Sequence, residues 1–180
     1  MLLIPKLYGK NILVTGASVG NHVGFVAAIF YRLNGCIVTL LVRDEEKGKA
    51  SVEELKKYSY LNRNETNSIP EKLKEDQPVY YCVGDLEKPE MMPFCVETAA
   101  KFMNNRIDII LYSGGNANTA ANTKYLALDP LIGESYQTSF NISVLSPMVI
   151  SRNSPGVRCL NVDQRPIGVF NSNNTMIESD

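Results

Sequence analysis

The sequence predicts an α/β protein with a doubly wound parallel sheet, in which the C-terminal part of the fold is missing or irregular. One observation is that short apolar runs alternate with helix-like segments four times along the chain. A second is that the runs are apolar almost throughout, which is typical of parallel strands covered on both faces. A third is that the alternation stops near residue 150, where a polar segment begins.

Four apolar runs predict the strands of the sheet. Most of them end at small residues that favour a turn, such as Gly16, Gly84 and Ser113. The runs are Ile12–Val14, Cys36–Val42, Val79–Val83 and Ile107–Tyr112.

A helix-like segment follows each predicted strand. In the first segment, apolar residues recur at i, i+3, i+4 and i+7 from Val23, and Asn34-Gly35 would close the helix. In the second, Asp44 is an N-cap residue. In the fourth, Pro147 predicts a kink. The segments are 23–35, 44–58, 89–105 and 131–150.

The remaining segments are polar. Residues 59–77 are rich in Asn, Glu and Lys and predict a surface loop or insertion. Residues 151–180 are rich in Ser, Asn, Arg and Pro, and we predict an irregular tail with one further strand near 167–171. The organised part of the chain is therefore expected to be residues 1–150.

Length and charge restrict the classes of function. The chain has 180 residues, which matches one domain, and 44% of them are apolar, which excludes a disordered tail. Its 18 Lys and Arg residues nearly balance 19 Asp and Glu residues, so nothing draws it generally to nucleic acid. The apolar stretch Met1–Ile4 is too short to span a bilayer. We predict a cytoplasmic protein and leave peripheral membrane association open.

Histidine and cysteine give no metal site. His22 is the single histidine, which weakens metal and Ser-His-Asp chemistry. The four cysteines have no Cys-x-x-Cys spacing, so neither a zinc site nor a thioredoxin motif is expected. Cys36 and Cys82 lie within apolar runs, and we predict that both are buried, reduced thiols.

The first strand end predicts a nucleotide site. In a doubly wound sheet, ligands bind beyond the carboxyl ends of the strands. Here the first strand is followed by a turn containing Gly16, Ser18 and Gly20, where glycines let the main chain approach a diphosphate. The alternative is a tight turn that binds no ligand.

The second strand end bears on the choice of cofactor. Arg43 follows the strand, and a guanidinium suits the 2′-phosphate of NADP through charge-assisted hydrogen bonds. The neighbouring carboxylate of Asp44 keeps NAD as an alternative, because an acidic residue here would accept a hydrogen bond from the ribose hydroxyl. Arg43 as a solvated strand cap is a third possibility.

The third and fourth strand ends complete the predicted site. Asp85 could accept a hydrogen bond from the adenine amino group, or could cap the following turn. The small residues Ser113 and Gly114 would admit the cofactor ribose against the main chain, unless they form a plain turn.

Together these strand ends resemble the short-chain dehydrogenase/reductase family. The matching pieces are Thr15-Gly16-Ala17-Ser18-x-Gly20, Arg43, Asp85-Leu86, Asp108–Gly115 and Phe140–Val144. The resemblance covers about residues 9 to 150. It implies a Rossmann-like dinucleotide-binding domain over 1–150, a site for NADP that includes Leu86, and hydride transfer to or from a carbonyl or alcohol. The family's third glycine would fall at His22, or at Gly24 if two residues are inserted.

The same resemblance implies part of a catalytic site. Asn141 matches an asparagine that holds a water in a proton relay. Residues 165–172 resemble the family's fifth strand, which makes Ser172 the match for its catalytic serine, unless the tail after residue 151 is unrelated. None of the nine tyrosines is followed four residues later by lysine, so the family's Tyr-x-x-x-Lys pair is absent. The alternative to an enzyme is therefore a non-catalytic dinucleotide-binding or interaction protein, or an inactive remnant.

A finer resemblance concerns the substrate. The strand 79–83 before Gly84-Asp85-Leu86, the long polar insertion and the Gly114-Gly115 strand end resemble 3-ketosphinganine reductases. This implies a lipid-like carbonyl or alcohol. The family is often dimeric, which makes a homo-oligomer an expectation here. An unpaired edge beside the fourth strand predicts a marginal or aggregation-prone monomer unless something covers it.

Overall fold

A computed structural model of the chain describes most of the predicted domain. Helices cover both faces of a four-stranded parallel sheet. The described residues are 4–20, 23–59, 76–115 and 137–156, together with the main chain of three short strands at 159–160, 166–170 and 176–177. The predicted polar insertion falls largely outside them.

The parallel sheet has the strand order β3-β2-β1-β4. Its strands are β1 (Asn11–Thr15), β2 (Ile37–Val42), β3 (Val79–Val83) and β4 (Ile109–Leu111). The chain moves outward from β1 to β3 and then returns to the other side of β1 for β4. The reversal leaves a crevice at the carboxyl ends of β1 and β4, where doubly wound sheets bind ligands.

The helices follow the strands in the predicted order. The first two are α1 (Val23–Leu33) and α2 (Glu45–Lys56). A 3₁₀ turn over Pro89–Met91 leads into α3 (Met92–Phe102). The last is α4 (Ser146–Asn153). No helix in the described part of the chain is both long and apolar enough to cross a membrane. The cytoplasmic location stays a prediction.

The two central strands, β1 and β2, bury both of their faces, which explains their continuous apolar runs. On one face Ile12 and Val14 pack with α1 and α2, through residues such as Phe25 and Leu55. On the other face Leu13 packs against α3 and α4. Burying a large aliphatic side chain contributes about 1.5–3 kcal/mol, so this two-sided core is the main source of the sheet's stability.

The predicted helix ends are confirmed. The Oδ1 atom of Asp44 accepts a hydrogen bond from the main-chain N–H of Lys47 at 2.8 Å, which is the N-cap geometry. Gly35 follows α1 with a φ of 74°, a conformation that disfavours other residues. A Cβ atom there would also lie 2.3 Å from the ring of Tyr8.

The predicted kink at Pro147 takes the form of a wider turn. Residues Asn141–Leu145 form a π-helical segment, in which the N–H of Ser146 donates to the carbonyl of Asn141. Pro147 follows directly, so its missing N–H falls where the continuous helix changes from π to α geometry. Residues 131–136 of the predicted helix lie outside the described part.

The tail forms a small separate sheet instead of extending the parallel one. Strands β5 (Cys159–Leu160), β6 (Pro166–Phe170) and β7 (Met176–Ile177) pair antiparallel, with β6 in the centre. The strand near 167–171 is therefore present as β6, but it does not pair with β4 as the family's fifth strand would. Ser172 lies outside the described residues.

The outer edge of β4 has no partner among the described strands. Beside it, Leu111 and the exposed apolar face of α1 form a groove of about 390 Å³, lined by Val23, Val26 and Phe30. An open strand edge next to apolar side chains favours association between molecules.

We expect Val26→Lys to reduce association between molecules, because it places a charge in the apolar groove. The melting temperature should change little, since Val26 is 61% exposed. Light scattering against protein concentration measures the change. Phe94→Lys is the matched control, because Phe94 is 68% exposed on α3, which packs on the other face of the sheet. Equal effects of the two substitutions would show that association does not use the β4 edge.

Candidate functional site

A cleft of about 370 Å³ opens at the carboxyl ends of the strands. It is lined by seven of the eight residues that the sequence predicts to bind a cofactor: Gly16, Ser18, Arg43, Asp85, Leu86, Ser113 and Gly114. The eighth, Gly20, is exposed in the turn beyond Ser18 and is not among the lining residues. Lys47, Glu87 and Ile142 also line the cleft, although the sequence analysis does not single them out.

The base of the cleft, where the ends of β1 and β4 meet, depends on a glycine. Gly16 has a φ of 62°, and a Cβ atom on it would lie 2.7 Å from the carbonyl oxygen of Ser113. The main-chain N–H of Ser113 also donates to the hydroxyl of Thr15 at 3.1 Å. The two strand ends are therefore in direct main-chain contact at the base of the cleft.

Gly24 takes the position of the third glycine. A Cβ atom on Gly24 would lie 2.8 Å from the carbonyl oxygen of Gly16 and 2.9 Å from that of Thr15. Only glycine therefore permits this approach of α1 to the end of β1. Of the two possibilities that the sequence left open, the geometry favours Gly24, while His22 lies outside the described residues.

Ser51, which the sequence analysis does not single out, anchors the turn that follows β1. The main-chain N–H of Val19 donates to the hydroxyl of Ser51 at 2.7 Å, and this hydroxyl donates to the carbonyl of Lys47 at 2.6 Å. Ser51 is fully buried in α2. Its contact with Val19 spans 32 residues, and no local pattern marks it.

Charged residues of both signs line the end of β2. The guanidinium of Arg43 is 72% exposed, and its Nη1 atom lies 3.4 Å from Oε1 of Glu87. Lys47 adds a second cation one turn into α2. Asp44 directs one carboxylate oxygen to the helix cap, so that oxygen is engaged with the protein.

The end of β3 is a capped turn. The Oδ1 atom of Asp85 accepts a hydrogen bond from the main-chain N–H of Glu87 at 3.1 Å, which is the turn-capping alternative that the sequence allowed. Leu86 reaches across to β4, where a Cβ atom on Gly114 would lie 2.3 Å from its Cδ1 atom. A side chain at position 114 would thus require the end of the Leu86 side chain to move.

Asn141 lies beside the cleft and is held by two contacts. Its Nδ2 donates to the carbonyl of Glu87 at 2.9 Å, and its Oδ1 accepts from the side chain of Gln137 at 2.8 Å. Asn141 begins the π-helical segment, and the next residue, Ile142, lines the cleft. Such segments are frequent at functional sites.

Tyr112 is not arranged as a proton donor. Its hydroxyl donates to the carbonyl oxygen of Ile142, and burial raises its pKa to about 12. A general acid works best with a pKa near the working pH. Tyr112 therefore joins the end of β4 to the π-helical segment and does not replace the tyrosine of the missing Tyr-x-x-x-Lys pair.

Three cysteines are buried among the described residues, as predicted for Cys36 and Cys82. Both are buried free thiols, and burial raises the pKa of each to about 12, which suppresses the reactive thiolate. Cys95 is also buried and free. Within the described residues, no group of His, Cys, Asp or Glu is arranged to hold a metal ion.

Comparisons with family models and with curated proteins found no match to the sequence. Solved structures do match. L-sorbose reductase from Gluconobacter frateurii, solved with NADPH and L-sorbose, superposes on 82% of this chain with a TM-score of 0.61 at 18% identity. The fold is that of the short-chain dehydrogenases/reductases.

Two further structures have the same fold. A short chain dehydrogenase from Mycobacterium smegmatis matches 85% of this chain, with a TM-score of 0.60 and 18% identity. MalC Reductase/Diels-Alderase from Malbranchea aurantiaca matches 87%, with a TM-score of 0.58 and 18% identity. The matches cover 46%, 54% and 54% of the three solved chains, so this chain spans about half of their length.

These matches confirm the predicted fold class. They do not test the individual site residues, whose roles stay predictions. None of the three structures is described as a 3-ketosphinganine reductase, so that finer resemblance also stays a prediction.

We expect Gly16→Ala to lower the free energy of unfolding more than Gly9→Ala. Both glycines have positive φ, 62° and 69°, so alanine costs each about 1–2 kcal/mol in the main chain. A Cβ atom at Gly9 meets open space, whereas one at Gly16 collides with Ser113. Urea denaturation measures both variants. An equal loss would show that β1 and β4 do not depend on this contact.

Proposed function

We propose that this chain binds NADP(H) in the cleft and serves hydride transfer between that cofactor and the carbonyl or alcohol group of a small molecule. The observation that carries the proposal is the cleft itself. It lies at the reversal point of the sheet, where a glycine turn, two cations and a small-residue strand end meet.

The residues present fit such a cofactor. The turn containing Gly16 and Ser18 would hold the diphosphate against main-chain atoms. The space of about 370 Å³ falls within the range of about 300–1,000 Å³ typical of ligand pockets. Gly115 adds open space at the end of β4, because a Cβ atom there would meet nothing within 4 Å.

The charges at the end of β2 support NADP over NAD. Arg43 and Lys47 would face a 2′-phosphate, and a guanidinium binds phosphate through paired hydrogen bonds. Asp44, the residue that would favour NAD, directs one carboxylate oxygen to the cap of α2. That engagement leaves the carboxylate less able to accept from a ribose hydroxyl.

The residues proposed for proton transfer come from the family resemblance. When bound, the cofactor supplies the hydride chemistry, and the chain binds and orients it. Asn141 is proposed to position a water, and Ser172 to contact the substrate, as the family resemblance implies. The alternative is a protein that binds the dinucleotide without turnover. The proposed substrate class includes lipid-like carbonyl compounds.

We expect NADPH to bind more tightly than NADH, and Arg43→Ala to weaken NADPH binding by about tenfold with a smaller effect on NADH. Titration followed by nucleotide fluorescence measures both affinities. Arg152→Ala is the matched control, because it removes the same charge from the last turn of α4. Equal or tighter binding of NADH by the unaltered chain would contradict the NADP assignment.

Turnover separates the two candidates. An oxidoreductase should oxidise NADPH in the presence of some member of a panel of ketones that includes long-chain 3-keto compounds. Absorbance at the nicotinamide band follows the reaction. NADPH binding without oxidation by any member of the panel would support the binding protein, and failure to bind either nucleotide would reject both candidates.

A further inference from the structure

Glu87 forms an ion pair with Arg43 beside the cleft. Its Oε1 atom lies 3.4 Å from Nη1 of Arg43, and both side chains are partly exposed, 41% for Glu87 and 72% for Arg43. Glu87 also lines the cleft. The one cation that directly follows β2 is therefore already paired with a carboxylate of the protein.

The position of Glu87 is set by its main chain. Its N–H donates to the side chain of Asp85 at 3.1 Å, and its carbonyl accepts from the side chain of Asn141 at 2.9 Å. The turn after β3 is thus held from both sides, and it brings the carboxylate to the end of β2. The pair with Arg43 spans 44 residues, and the fold creates it.

We propose that Glu87 determines cofactor specificity by competing with the 2′-phosphate for Arg43. This rests on the proposed nucleotide site. A phosphate group carries about −1.5 to −2 charges near neutral pH, so it is repelled by Glu87 and competes with it for the guanidinium. A ribose 2′-hydroxyl bears no charge and can donate a hydrogen bond to a carboxylate. The charge of Glu87 thus lowers the ratio of NADPH to NADH affinity. Without it, Arg43 and Lys47 would give a stronger preference for NADPH.

The chemistry of the pair makes Glu87 suitable for substitution. Exposed ion pairs contribute little to folding stability, because both partners are well hydrated when apart. The main-chain contacts of Glu87 do not depend on its carboxylate. Glu87→Gln therefore removes the charge while keeping the size of the side chain and the turn.

The test is the ratio of NADPH to NADH affinity in Glu87→Gln. We expect NADPH to bind roughly threefold or more tightly than in the unaltered chain at low salt, with little change for NADH. The gain should shrink at high salt, where exposed charges are screened. It should also vanish when Arg43→Ala is added, because the competition acts through that guanidinium.

Glu97→Gln is the matched control. Glu97 forms an exposed pair with Lys101 on α3 at 2.7 Å, so the substitution makes the same change in net charge at another exposed ion pair. If the unaltered chain binds NADPH but Glu87→Gln leaves the ratio unchanged, or Glu97→Gln raises it equally, the role of Glu87 is overturned and the site stands. If the unaltered chain binds neither nucleotide, the proposed function fails as well.

Discussion

The contact between the ends of β1 and β4 is the constraint on which the rest of the site depends. Because Gly16 has no Cβ atom, the end of β1 can lie directly against Ser113, whose N–H donates to the hydroxyl of Thr15. Since β1 pairs with β2 on one side and with β4 on the other, this contact lies where the sheet reverses direction. The cleft opens at that reversal, and its lining residues come from all four strand ends.

The sequence predicted the fold well because the sheet is buried on both faces. Ile12 and Leu13 point to opposite layers, yet both are fully buried, so the run had to be apolar throughout. The N-cap of α2 was equally predictable, since Asp44 caps the residues directly after it. A structural feature that depends on neighbours in the sequence, or on burial alone, could therefore be predicted from the sequence.

What the sequence missed consists of contacts between distant segments. The pair of Asn141 with the Glu87 carbonyl spans 54 residues, and that of Val19 with Ser51 spans 32. Neither depends on a side-chain pattern, because in each pair one partner is a main-chain group that any residue could supply. Asp85 is a different case. Its turn cap is local, through the N–H of Glu87, but contact with an adenine would depend on a ligand, so the sequence left both roles open.

The site separates into a rigid floor and an adjustable rim. The floor consists of main-chain contacts at Gly16 and Gly24, where an added Cβ atom would collide with carbonyl oxygens. The rim consists of Arg43 and Glu87, exposed charges that stabilise the fold little. A change in the floor must therefore disturb the packing of the strand ends, whereas a change in the rim alters the charge of the cleft and leaves that packing in place. Under the proposed function, a single rim residue would therefore shift the preference between the two cofactors without any rearrangement of the sheet.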